Sequence, residues 1–158
     1  MNDVKVQLIV KSPSSEIWKI WSNFQEAPLW DTDVSHCQLE GPFQAGTAGQ
    51  CVLRNGLKMP LRLLAVEPQE SYRNSARLLW IRLEFDHRLR RLSPDETQVI
   101  HSARISGPLS FVYRGLLRKM LTTAMTTALG NLRALAEQRA NAVDAPERDK
   151  AQAHLHLV

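Results

Sequence analysis

Long apolar runs are missing from this chain of 158 residues. No stretch approaches the roughly 18 consecutive apolar residues that a membrane-spanning helix needs. The first six residues, Met-Asn-Asp-Val-Lys-Val, also lack the basic segment and apolar core of a secretory signal. We therefore expect a cytoplasmic protein.

Cysteine is scarce as well, with only Cys37 and Cys51 in the whole chain. Two cysteines are too few for a disulfide framework, so the simplest expectation is a pair of reduced thiols. The sequence has no close Cys/His cluster with zinc spacing, no Gly-rich phosphate loop and no nucleophile elbow. We predict neither a metal site nor a cofactor.

The positive charge of the chain is modest and dispersed. The net charge is +4, and arginines such as Arg82, Arg88 and Arg90 recur at alternate positions, which is typical of a solvated strand face. Neither interleaved aromatic residues nor a known reader motif accompanies them, so we predict no nucleic-acid partner. Transient contact with an anionic membrane surface is the alternative left open. The sequence does not indicate an oligomeric state.

Alternation with a period of two predicts seven strands. The Asn55-Gly56 pair between two of them is a strong hairpin signal. A helix is predicted between the first two strands, limited by Pro28 and followed by a short second turn or helix at residues 29–31. The seven predicted strands cover residues 3–10, 34–40, 50–53, 57–66, 71–78, 80–92 and 97–105.

The two cysteines have the same parity on neighbouring predicted strands. Both lie about seven residues from the middle of the connection at residues 42–46. We therefore predict that Cys37 and Cys51 face each other across adjacent antiparallel strands and point inward, with Cβ atoms roughly 4.5–5.5 Å apart.

Apolar residues at helical spacing predict one long helix from Leu109 to Arg139. Gly115 and Gly130 weaken it by about 1 kcal/mol each relative to alanine, so packing against the sheet must hold it. The residues after it are polar, and we predict a flexible tail over residues 141–152. The predicted organisation is one domain, residues 1–140, and a polar C-terminal tail, residues 141–158.

The predicted order of elements is strand, helix pair, six strands and long helix, which indicates an α+β domain. Together with particular motifs, this order resembles the START-like (SRPBCC) superfamily, in its polyketide cyclase/dehydrase and lipid-transport family. The resemblance extends over residues 3–139. The motifs that carry it are Ser12-Pro13, Ile17-Trp18, Pro28-x-Trp30, Gly46-Thr47-x-Gly49, Val66-Glu67-Pro68, Phe85-x-His87, Thr97-x-Val99-x-His101 and Gly107-Pro108-Leu109.

This resemblance implies a helix-grip fold, in which a seven-stranded curved antiparallel sheet surrounds the long C-terminal helix and leaves an apolar cavity. The inward side of the predicted strands and the long helix supplies the candidate ligand-binding residues. Four of them are polar and need partners or a ligand, because an unpaired buried polar group costs about 1–3 kcal/mol. The candidates are Trp30, Met59, Leu61, Tyr72, Asn74, Leu83, Phe85, His87, Val99, His101, Met120, Ala124 and Met125.

Three functions remain open at this stage. The first is a carrier or sensor that binds a hydrophobic small molecule such as a lipid, quinone or polyketide. The second is a polyketide cyclase, aromatase or dehydratase in which His87 and His101 act as acid and base. The third is a protein-interaction domain with a vestigial cavity. Because the predicted inward sets hold no Asp, Glu or Lys, we favour the carrier over the enzyme.

Overall fold

The computed structural model describes residues 3–155, with side chains through residue 144. The strands are β1 (Val4–Val10), β2 (Val34–Leu39), β3 (Ala48–Leu53), β4 (Lys58–Glu67), β5 (Ser71–Leu78), β6 (Ile81–Ser93) and β7 (Glu96–Ser106). The helices are α1 (Ser14–Ser22) and α2 (Ser110–Leu155), with a 3-10 helix at Phe24–Leu29.

The seven strands form one antiparallel sheet in the order β1-β7-β6-β5-β4-β3-β2. Only β1 is displaced from sequence order, and it pairs with β7, so that α1 and the 3-10 helix connect the two edge strands β1 and β2. This arrangement is the predicted seven-stranded curved sheet with a long C-terminal helix, and the fold prediction is confirmed.

Helix α2 crosses the inner face of the sheet and packs against β1 and β7. Leu129, Leu132 and Ala136 on α2 are almost fully buried and join a core cluster with Trp21 of α1 and Val99 of β7. Burying one leucine side chain stabilises the fold by about 1.5–3 kcal/mol. These contacts offset the two helix glycines, and α2 is unbroken at both Gly115 and Gly130, as predicted.

Two predicted helix boundaries are wrong. Helix α1 ends at Ser22 rather than near Pro28. The 3-10 helix at Phe24–Leu29 contains Pro28 and overlaps the predicted second turn or helix at residues 29–31 only at Leu29. Helix α2 continues beyond Arg139 to Leu155, and the predicted flexible tail is helical over residues 141–152. This segment is rich in Ala, Glu, Arg, Lys and Gln, which favour helix without needing an apolar face. Within residues 3–155, no helix combines the length and apolar character needed to cross a membrane.

The cysteine register is as predicted, but the redox state is not. Cys37 of β2 pairs directly with Cys51 of β3, and both side chains are buried. The structure joins them in a disulfide rather than leaving two thiols. Direct opposition on adjacent strands brings the two sulfur atoms within bonding reach. Because the two cysteines are bonded, they no longer support a cytoplasmic location. That location stays a prediction.

Candidate functional site

An apolar cavity of about 210 Å³ lies between the sheet and the first half of α2. Its wall is formed by the face of α2 from Leu117 to Ala128, by the segment that leads into β2, and by inward side chains of the strands from β3 to β7. Its lining consists of Asp31, Asp33, Val34, Leu53, Met59, Leu78, Leu83, Phe85, His101, Leu117, Met120, Leu121, Ala124, Met125 and Ala128.

A smaller inner chamber of about 100 Å³ continues this cavity toward α1 and the 3-10 helix. The two spaces share a wall formed by Asp31, Val34, Met59, Phe85 and His101. The inner chamber adds the polar and aromatic part of the lining, together with the disulfide. Its remaining residues are Phe24, Ala27, Trp30, Cys37, Cys51, Leu61, Tyr72, Asn74 and His87.

A column of three rings forms one side of the inner chamber. Tyr72, His87 and His101 are direct partners across β5, β6 and β7, so their side chains share the inner face. The ring centroids of Tyr72 and His87 lie 4.0 Å apart and nearly parallel, and those of His87 and His101 also lie 4.0 Å apart. Trp21 meets His87 edge-on at 5.3 Å. The sheet register therefore fixes the position of both imidazoles.

Several buried polar atoms around the inner chamber have no hydrogen-bond partner within the described part of the protein. They are both ring nitrogens of His101, Nδ1 of His87 and the indole nitrogen of Trp30. Most buried polar groups in proteins are paired. Four polar atoms around one chamber are therefore able to form a hydrogen bond with a polar group placed in it.

Burial keeps both histidines neutral at physiological pH. Desolvation lowers the pKa of His101 to about 3. The pKa of His87 is well below its usual value, mainly because of desolvation and also because of His101 beside it. At pH 7 the rings can each donate and accept one hydrogen bond, but they do not supply positive charge.

Asp31 is a functional candidate that the sequence reasoning missed. It follows the 3-10 helix, and its backbone N–H donates to the Ala27 carbonyl at 2.8 Å. The adjacent Trp30 carbonyl accepts a hydrogen bond from Nδ2 of Asn131 on α2 at 3.1 Å. These contacts hold the Asp31 carboxyl where it lines both the cavity and the inner chamber. Because residue 31 lies outside any strand or regular helix, no periodicity could have predicted its direction.

Desolvation raises the pKa of Asp31 from 3.8 to about 6, and the charge of Asp33 adds to this effect. A hydrogen bond from the Asp33 backbone N–H to Oδ1 of Asp31, at 3.2 Å, acts in the opposite direction. Burial also raises the pKa of Tyr72, with a smaller contribution from the nearby Asp31 charge. A carboxyl group with a pKa of about 6 can take up or release a proton near neutral pH.

The structure brings together all but one of the predicted ligand-binding residues. Met59, Phe85 and His101 line both spaces, and the exception is Val99. Val99 is fully buried in the core cluster beneath α1 and α2 and lines neither space, because β7 passes from the cavity into the packed core at this point. Leu83, Met120, Ala124 and Met125 line the cavity, and Trp30, Leu61, Tyr72, Asn74 and His87 line the inner chamber.

A larger hollow, of about 540 Å³, lies on the outer face of the sheet. Its lining includes Gln50, Arg62 and Arg77, which belong to the outward half of the strand alternation and are exposed. It is an open surface without buried polar groups, so we place the candidate site on the inner face. Among residues 3–144, no cluster of three or more His, Cys, Asp or Glu side chains could hold a metal ion.

Comparison with known families decides the relationship. The model of the family described as "Polyketide cyclase / dehydrase and lipid transport" matches residues 1–137, most of the chain. The chain belongs to this family. No curated protein sequence matches it.

Several solved structures share the fold of this family member at low sequence identity. The Zhui aromatase/cyclase from a Streptomyces species superimposes with a TM-score of 0.72 at 12% identity, over 86% of this chain and 93% of that one. The protein XoxI from Bacillus cereus gives 0.71 at 11% identity, over 84% and 94% of the two chains. Norcoclaurine synthase from Thalictrum flavum, in complex with a transition-state analogue, gives 0.65 at 14% identity, over 86% and 94%.

Proposed function

We propose that this family member binds a hydrophobic small molecule in the cavity between the sheet and α2. The ligand places a carbonyl or hydroxyl group in the inner chamber and its apolar part against α2. Neutral His101 and the half-buried Asp31 carboxyl orient the polar group.

The observation that carries this proposal is the pairing of an apolar cavity with unpaired polar atoms at its inner end. Met120 and Met125 provide an adaptable apolar wall, since the flexible methionine side chain accepts many ligand shapes. At the other end, His101 has two ring nitrogens without partners in the described residues. Ligand sites in proteins combine a mostly apolar lining with a few polar groups in the same way.

The size of the space limits the ligand. A volume of about 210 Å³ is below the roughly 300–1,000 Å³ of most small-molecule sites. A compact molecule of one or two rings fits this space, and a long-chain ligand would have to extend out of the cavity beside Met120, which is 59% exposed.

Native mass spectrometry of freshly purified protein tests the proposal directly. We expect an added mass that disappears after denaturation and is identified as an apolar small molecule. Ala124→Phe fills the cavity from α2 and should remove the added mass. Thr126→Phe adds the same ring on the opposite side of the helix, where Thr126 is exposed, and should leave ligand binding unchanged.

The outcome that contradicts this function is equally defined. If neither the wild-type protein nor Thr126→Phe carries or takes up any apolar molecule, and both are folded, the cavity is not a binding site. A protein-interaction role would then be the better explanation.

Replacing His87 and His101 together by leucine should change ligand affinity while the fold persists.

Asp31 favours a second candidate function, proton transfer at a carbon next to a carbonyl group. A carboxyl with a pKa of about 6 suits a general base near neutral pH. Exchange of hydrogen for deuterium beside the carbonyl of a small aromatic ketone, followed by NMR in heavy water, is a suitable assay. We expect Asp31→Asn to reduce the exchange rate by about 100-fold or more, as for other general bases. Equal rates in Asp31→Asn and in the control Asp95→Asn, at an exposed residue of the turn between β6 and β7, would exclude this enzymatic role.

A further inference from the structure

An unusually apolar surface lies beside the opening of the cavity. Trp80 is 71% exposed in the turn between β5 and β6, and Phe111 is 79% exposed in the first turn of α2. We call this surface the rim patch. It consists of Leu79, Trp80, Phe111, Val112, Leu116 and Met120, all of which are more than half exposed.

The rim patch has two parts, the β5–β6 turn and the first turns of α2, and these pack closely against each other. Gly107, just before α2, has a φ of 113°, and any side chain there would collide with the carbonyl oxygen of Trp80. The β5–β6 turn therefore lies directly against the start of α2. Val112, Leu116 and Met120 follow at four-residue spacing and form one stripe along the helix. Met120 also lines the cavity, so the stripe borders its opening.

The turn itself departs from ordinary hairpin chemistry. Leu78 pairs with Ile81, so Leu79 and Trp80 form a two-residue turn, and Leu79 has a φ of 54°. Such turns strongly prefer Asn-Gly or Asp-Gly, because L-residues with side chains rarely adopt positive φ. Two large apolar residues at this tip are unfavourable both for the backbone and for solvation. An unfavourable local conformation that exposes apolar side chains indicates a binding role.

The charged residues in the first turns of α2 are all basic, and one of them, Arg114, pairs with Asp3 at 3.2 Å. Residues 97–136 contain no Asp or Glu but five basic residues, of which Arg114, Arg118 and Lys119 lie in the first three turns of α2. At the β5–β6 hairpin, exposed Arg77 and Arg82 are direct cross-strand partners. Like charges placed opposite each other destabilise a sheet, and of these two arginines only Arg82 has an ion-pair partner among the described residues, Glu84 at 3.3 Å.

We infer that the rim patch docks on an anionic lipid membrane, with Trp80 and Leu79 inserted at the interface. An exposed apolar stripe flanked by Lys and Arg is the pattern of helices that bind in the plane of a membrane surface. Indole rings such as that of Trp80 favour the lipid–water boundary. The negative potential of anionic lipids attracts these basic residues, and each of them strengthens binding on the order of fivefold.

Fluorescence of Trp80 tests this inference without any knowledge of the cavity ligand. The other three tryptophans, at positions 18, 21 and 30, are buried or half-buried. Vesicles of phosphatidylcholine with phosphatidylglycerol should therefore shift the emission of Trp80 to shorter wavelength and sediment the protein. Pure phosphatidylcholine vesicles should bind far less, and salt should weaken the binding to the anionic vesicles.

Two pairs of variants supply matched controls. Leu116→Ser should weaken vesicle binding several-fold, whereas Leu92→Ser, at an exposed leucine of β6, should not change it. Arg118→Gln with Lys119→Gln should weaken binding on the order of 25-fold if each charge contributes fivefold. Arg133→Gln removes an exposed charge 14 residues further along α2 and should have little effect.

The inference does not rest on the proposed ligand. Ala124→Phe, which fills the cavity, should still bind anionic vesicles. Absence of vesicle binding by folded wild-type protein would overturn the inference even if an apolar ligand co-purifies. If the protein instead forms a dimer that Leu116→Ser dissociates, and vesicles do not bind, then the rim patch contacts a second copy of the chain and the membrane inference is wrong.

Discussion

Replacing Asp31 by asparagine should stabilise the protein at neutral pH but not in acid. The carboxyl has a pKa of about 6 in the folded protein and an ordinary value of 3.8. Each unit of difference corresponds to about 1.36 kcal/mol, so ionised Asp31 destabilises the fold by up to about 3 kcal/mol. Because the side chain is still partly exposed, solvent screening reduces this figure, and we expect about 1–3 kcal/mol.

The sign follows from proton uptake. Between pH 3.8 and about 6 the folded protein holds a proton on Asp31 that the unfolded chain has lost. Stability of the wild type therefore falls as the pH rises through this range and is constant above it as far as Asp31 is concerned. Asparagine does not titrate, and its side-chain oxygen can still accept the 3.2 Å hydrogen bond from the Asp33 backbone N–H.

The free energy of unfolding of both proteins is measured by urea unfolding at several pH values between about 4 and 8, with linear extrapolation to zero urea. The free energy of unfolding of Asp31→Asn minus that of the wild type should be near zero at the acid end and reach its full value above pH 6. Asp95→Asn is the control, since Asp95 is exposed in the turn between β6 and β7 and should change stability only slightly. A difference that is the same at both ends of the range would refute the argument, because it would show that ionisation of Asp31 does not cause it.

Three further predictions concern the core. His101→Leu should make the free energy of unfolding less dependent on pH between pH 6.5 and about 3, because the histidine of the unfolded chain binds a proton in this range and the buried ring does not. Relative to the variant, the wild type should lose up to about 1.4 kcal/mol of stability per pH unit on acidification. The same pH dependence of stability in both proteins would contradict this. Reduction of the Cys37–Cys51 disulfide, which links residues 14 apart, should lower the free energy of unfolding by up to about 3 kcal/mol. The double variant with alanine at both positions should not respond to dithiothreitol. Leu132→Ala, in the fully buried contact of α2 with the core, should destabilise by about 2–5 kcal/mol in the same urea assay.

Strand periodicity was sufficient to predict the sheet and the residues of much of the cavity wall. A shift of one residue in β6 would bring Arg82 and Arg88 inward and send Leu83 and His87 to solvent, so the register has only one acceptable phase. The same argument placed Cys37 opposite Cys51. Local pattern and burial agree in these strands, which is why the sequence alone could predict them.

Composition led to a wrong prediction for the segment after Arg139, which forms a helix without an apolar face. The residues after Arg139 are polar, and polar composition alone does not distinguish a solvated helix from a flexible tail. The same limit applies to the cysteines. Scarcity of cysteine suggested free thiols, yet their bonding depends on how closely the two side chains approach across the β2–β3 pair.

The sequence by itself determined the fold family, the seven strands and the inward side of each strand, because repeated alternation over many residues leaves few alternatives. Tertiary structure alone decided the position of Asp31 between the two spaces, the exclusion of Val99 from the cavity and the exposure of the rim patch. Each of these depends on contacts between distant parts of the chain, such as Trp30 with Asn131 or Gly107 with Trp80. Such contacts leave no periodic signal, since they arise from how the helices and turns pack on the sheet rather than from the pattern within any one element.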